Sequence, residues 1–140
     1  MVARSVPSVE VKGVDAALAR IARVQAAVPL EAGAAMRAAG EFLADVAEVE
    51  APKRTGRLAS SIHVSGPYRG ANTISVRVAT GRLRYAQIQH WRERSKSGLP
   101  VHYSTPGTGR FFLWGPKLRL EAAVKAQIAG AVVAAVEAQR

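Results

Sequence analysis

The 140-residue chain has no cysteine, which removes disulfides, thiolate nucleophiles and cysteine-ligated metal sites at once. Redox chemistry therefore says nothing of its compartment. Aromatic residues are only 6% of it, so a core has to be packed mainly from Ala, Val and Leu. Long apolar runs are missing too: the longest, Ile128 to Val136, is half a bilayer crossing at best. No N-terminal stretch has the parts of a signal peptide. The sequence thus reads as soluble, without a membrane partner, unless it travels within something larger. No Gly-x-Ser-x-Gly elbow and no phosphate loop ending in Gly-Lys-Ser/Thr occurs. His63, His90 and His102 are too irregularly spaced for a metal motif and have no carboxylate cluster beside them. We therefore assign no catalytic residue, no metal and no cofactor.

What is scarcest is negative charge in the middle. Residues 51–120 carry thirteen Lys and Arg against Glu93 alone, and the rest carries seven basic and nine acidic groups, for a net charge of +10. A positive middle on a nearly neutral frame implies a polyanion nearby, most simply nucleic acid. Solubility and an arginine-rich codon habit would give the same excess with no partner at all. With 49% apolar residues and this length, the chain predicts one α+β domain over 1–140.

The organising stretch runs from Ala51 to Ile62, Ala-Pro-Lys-Arg-Thr-Gly-Arg-Leu-Ala-Ser-Ser-Ile. Pro52 stops the helix before it, because it lacks an N–H and clashes with the preceding turn. Gly56 supplies the turn. Leu58, Ser60, Ile62 and Val64 then alternate with Ala59, Ser61, His63 and Ser65, which predicts a strand over Leu58–Ser65.

Before that joint, residues 1–12 read as a flexible arm. Gly13 opens a helix with Val14, Leu18, Ile21, Gln25 and Val28 on one stripe, ended by Pro29. A second helix over residues 30–51 has Met36, Ala39, Gly40, Leu43, Val46, Ala47 and Glu50 on its inner side, with Arg37, Glu41, Asp45 and Glu48 outside. Its small inner residues permit close approach to a sheet or to a second copy.

After the joint, Thr73–Ala79 predicts a second strand with Ile74, Val76 and Val78 inward, joined through the turn formers of Gly66–Asn72. Leu83–Trp91 reads as a short helix or irregular strand, and residues 92–98 as a mobile basic loop. Val101 and Tyr103, then Phe111 and Leu113, flank Thr105–Gly109 as a second hairpin. Pro116 sits in the first turn of a long C-terminal helix with Leu120, Val124, Ile128, Val132 and Val136 in line. The predicted architecture is a small antiparallel sheet of two hairpins, packed against N-terminal helices and a long C-terminal helix.

Two weaker signals remain. Thr-Gly-Arg recurs at Thr55, Thr80 and Thr108, and such turns can cradle a phosphate through an exposed amide. His90, His102 and Tyr103 among arginines could imitate a metal-free ribonuclease, with His or Tyr moving protons and Arg holding phosphate charge.

The order of these features resembles a known family. It is similar to the small head–tail joint proteins of long-tailed bacteriophages, called neck, minor tail or tail-completion proteins and named after gene product ten of an HK-type lambdoid phage. The resemblance is carried by Gly13, then Pro52-Lys53-Arg54-Thr55-Gly56-Arg57-Leu58-Ala59-Ser60-Ser61-Ile62, then Tyr85-Ala86-Gln87-Ile88, then Phe112-Leu113, and covers residues 9–138. The chain departs from the family at His90-Trp91, where Glu-Gly is common, and at residues 111–117, where Pro-Phe-Leu-x-Pro-Ala is usual.

The resemblance implies a structural virion protein without catalysis. It would form a homo-oligomeric ring, with six copies favoured and twelve the alternative. The ring would lie between head-completion proteins and the tail tube or tail terminator, at the neck of the virion, and be assembled in the host cytoplasm. Genomic DNA would cross its lumen without sequence reading. Pro52, Thr55, Gly56, Leu58, Ser61, Ile62, Tyr85 and Ala86 would then serve assembly, and Arg82, Arg84, Arg92, Arg94 and Lys96 would face DNA. A small nucleic-acid-binding protein is the alternative, and the ribonuclease a further one.

Overall fold

A computed structural model describes residues 12–53, 55–83, 85–91, 103 and 106–140. The spine is one helix, α1 (Val14–Glu50), which carries Pro29 inside it. The expected break at Pro29 is therefore corrected: two predicted helices are one. A proline inside a helix costs about 3 kcal/mol. The alanines on either side (Ala26, Ala27, Ala32, Ala34 and Ala35) favour helix, and the packing of the second half of α1 offsets the rest. Gly13, at φ 87°, opens α1, with Asp15 in its first turn. Pro52 does end it: Ala51 is extended (ψ 141°), as a residue before proline prefers.

The strand expected over Leu58–Ser65 is corrected as well. Gly56, at φ 72°, starts a single helical turn, α2 (Arg57–Ser60), which buries Leu58 and Ala59 side by side rather than alternately. Strand β1 (His63–Arg69) follows and pairs antiparallel with β2 (Ile74–Ala79). Residues 66–69 thus belong to the strand, not to the connection, which shrinks to a tight turn closed by Gly70 N–H donating to the Thr73 carbonyl. The register slips between Ser65 and Tyr68, where the Gly66–Pro67 peptide is cis.

Val64, Val76 and Val78 point to α1, and a Cβ added to Gly40 would lie 2.8 Å from a Val76 methyl and 3.1 Å from one of Val64. The close approach read from the small inner residues is the one made here. Gly33, further along the same face, lies under Pro67 and the Arg69 guanidinium.

Short helix α3 (Ala86–Trp91) and long helix α4 (Trp114–Glu137) complete the fold. Among the described residues the sheet has two strands, so the second hairpin is not formed there. Phe111–Leu113 make a turn instead, with Phe111 at φ 60°. Val101 lies outside the described residues. α4 begins beside the end of α1, where Arg119 pairs with Glu50, and packs back along it. No described helix is long and apolar enough to cross a membrane.

Candidate functional site

The joint and the segments after it converge on one node. Ala51 ends α1, Leu58 and Ala59 come from α2, Ala86 from α3, and Phe112 from the turn before α4. All five are buried, and Ile62, Leu83 and Leu113 pack on them. Backbone hydrogen bonds lock the same segments: Gly109 N–H donates to the Glu50 carbonyl and Phe111 N–H to that of His90. Phe112 is 1% exposed, against the edge of the His90 ring at 5.2 Å between centroids.

On the outer side of this node lies a cleft of about 430 Å³ lined by Pro52, Thr55, Arg57, Leu58, Tyr85 and Gln89. Four of the residues taken from the joint pattern, Pro52, Thr55, Leu58 and Tyr85, therefore share one surface feature. The other four hold it up. Gly56 provides the left-handed turn. The Ser61 hydroxyl donates to the Leu58 carbonyl at 2.7 Å and closes α2. Ile62 and Ala86 belong to the core beneath. Arg57 and Gln89 were missed, since neither is distinctive in type; only the helical spacing of Tyr85 and Gln89 puts them on one side.

The basic residues divide differently. Arg82 is exposed, whereas Arg84, Arg92, Arg94 and Lys96 lie outside the described residues, as does the 92–98 loop. Arg77 is exposed on β2 opposite Ser65, on the face turned away from α1. Arg69, also exposed, lies over Gly33, and Arg119 is paired with Glu50.

Two chemical readings weaken on this geometry. At two of the Thr-Gly-Arg turns the glycine amide is already used: Gly81 N–H donates to Ser61 and Gly109 N–H to Glu50. His90 is 6% exposed, ringed by Trp91, Phe111 and Phe112 edges, and accepts a long 3.4 Å bond from Trp114 N–H. Burial pushes its pKa below the ordinary value, which suits a neutral packed ring. The Tyr103 hydroxyl is buried and finds no partner among the described residues, and His102 lies outside them. No group of His, Asp and Glu among the described residues could hold a metal.

Residues 15–92 match the family described as "Bacteriophage HK97-gp10, putative tail-component", which is more than half of the chain. The chain belongs to that family. No curated protein and no solved structure matches it. The HK97-gp10-like match spans α1, the joint, the β-hairpin and α3, so the cleft-lining residues all fall inside it. Phe112 and α4 follow the matched stretch.

Proposed function

We propose that this bacteriophage tail component is a non-catalytic part of the connector that joins head to tail in a long-tailed phage. In this reading many copies form a ring around the channel through which the genome passes. The observation that carries it is the family match over α1, the joint, the hairpin and α3. The distribution of charge supports it: Lys53, Arg57, Arg77 and Arg82 are exposed, while the acidic groups Glu41, Asp45 and Glu48 sit on α1. Exposed Lys and Arg side chains attract phosphates without reading bases. Arg77 joins Arg82, Arg84, Arg92, Arg94 and Lys96 as the residues assigned to the channel wall, and the joint cleft is assigned to assembly contacts. The neighbours are head-completion proteins on one side and the tail tube or terminator on the other. Six copies fit this role best, with twelve the alternative. The site of action is the virion neck, reached after assembly in the host cytoplasm.

The salt dependence of duplex binding tests the DNA part. Removing one phosphate-binding side chain should reduce the slope of log K against log salt by about 0.9. Reversing Arg77 and Arg82 to Glu should therefore flatten the slope by roughly 2 and weaken all sequences alike. Sequence-selective binding by the unassembled chain would favour a nucleic-acid-binding module instead.

A further inference from the structure

The beginning of α1 outruns everything packed on it. At 1.5 Å per residue, the 24 residues of α4 span about 36 Å and the 37 of α1 about 55 Å. α4 starts at the far end of α1, so about 20 Å of α1 is left over. From Val14 to Ala26 every residue except Val24 is exposed. This overhang is not polar. Val14, Leu18, Ile21, Gln25 and Val28 recur at steps of four and three, the spacing of a helix–helix seam. Val14 is 47%, Leu18 58% and Ile21 52% exposed, beside a groove lined by Ala17, Arg20, Ile21, Val24 and Gln25.

A second stripe of the same spacing runs along the later part of α1. Glu31, Ala35, Ala38, Phe42, Asp45 and Val49 step four, three, four, three, four, on the side turned away from buried Gly40, Ala44 and Ala47. Phe42 is 46% and Val49 65% exposed, with Glu41 and Glu48 alongside. The polar groups beside the two stripes differ in sign. Arg20 lines the groove beside the overhang stripe, whereas Arg23 faces the other way; the outer stripe itself holds Glu31 and Asp45, with Glu41 and Glu48 on its flank and Arg37 paired to Glu41 at 2.9 Å.

We propose that the overhang of one copy docks along the outer stripe of a second copy. The proposal rests on the reading of the chain as a self-assembling virion component and names the surfaces that meet. Both stripes belong to one uninterrupted helix, which cannot fold back on itself, so no copy can cover its own. Their lengths agree, about 21 Å and 27 Å, and Arg20 at the groove is complementary to Glu31 and Asp45 of the outer stripe. Because the two surfaces differ, each copy gives one and receives one. Such a head-to-tail contact closes into a ring when the rotation allows, and otherwise runs on as a filament.

Sedimentation of the full chain and of two variants tests this. Wild type should form species larger than a dimer. Leu18→Asp and Phe42→Asp should each weaken association by about thirtyfold or more, as removal of an interface anchor does, with unchanged circular dichroism. Mixed together, the two variants should form one-to-one dimers and nothing larger. The Leu18→Asp copy keeps its outer stripe and the Phe42→Asp copy keeps its overhang, so only one junction can form. Arg20→Glu should weaken assembly, as should Asp45→Lys, and both changes in one chain should restore it. A mixture that stays monomeric overturns the proposal. So do two single variants that assemble like wild type, which would give the overhang to another virion protein or to the chain's own first eleven residues. A wild-type chain that is monomeric at every concentration overturns the self-assembly reading itself.

Discussion

Phe112→Ala should cost about 3–5 kcal/mol of stability, or roughly 10–20 °C in Tm for a chain of this size. Phe112 and Pro116 are the largest side chains with under 2% exposure. Phe112 fills the space where the ends of α1, α2, α3 and the approach to α4 meet, against Ala51, Leu58, Ala59 and Ala86. Three of those four neighbours are alanines, too short to close the void, so the cavity penalty adds to the forfeited transfer free energy. Denaturant unfolding followed by circular dichroism measures the change. The slope should stay unchanged while the midpoint falls. A cost below about 1 kcal/mol would mean that the node is not packed as described. The same substitution at exposed Trp114, 51% accessible, should be much milder.

Gly40→Leu should destabilise by up to about 3 kcal/mol, the upper range of overpacking. A Cβ at this position already meets Val76 at 2.8 Å and Val64 at 3.1 Å, and both belong to strands that have no room to retreat without parting from α1. Gly40→Ala is the sharper variant: its helix-propensity gain of about 1 kcal/mol opposes the clash, so the net cost is smaller than for Leu. Gly130→Ala provides the control. No heavy atom lies within 4 Å of its added Cβ, so the same propensity gain appears alone, as about 0.5–1 kcal/mol of added stability. Thermal scans of the three variants should place Gly130→Ala above wild type and Gly40→Leu lowest, with Gly40→Ala above Gly40→Leu. An unaltered Gly40→Leu would show that helix and sheet do not touch there.

At these positions the sequence alone carries the fold. The small residues on the inner side of α1 announced a close partner, and the partner is the sheet. Pro52 and Gly13 bounded α1 because the chemistry of proline and of a left-handed glycine acts within a residue or two. Alternation of Ile74, Val76 and Val78 gave the second strand correctly, since one face is covered by α1 and the other is open.

What misled was local pattern in short segments. Leu58, Ser60, Ile62 and Val64 alternate on paper, yet Gly56 sets a helical turn that buries Leu58 and Ala59 together. Pro29 carried a strong stop signal that alanines and tertiary packing overrode. Around residues 111–113 the sequence reads as a hairpin strand through Phe111 and Leu113, but the chain turns there with Phe111 at positive φ, and Phe112 takes the core. The joint residues were recognisable by family pattern. That they split into a cleft wall and a supporting core was not, because it depends on where α3 comes to rest.

We propose that copies of this chain offer basic residues to DNA at the phage neck. An electron cryomicroscopy map of the intact virion, with this chain located in it, tests that directly. The expected result is an annulus of copies at the head–tail junction, with an open centre and Arg77 and Arg82 turned towards the DNA density. Absence of the chain from mature particles, or copies around no central opening with those arginines directed to bulk water, would contradict it.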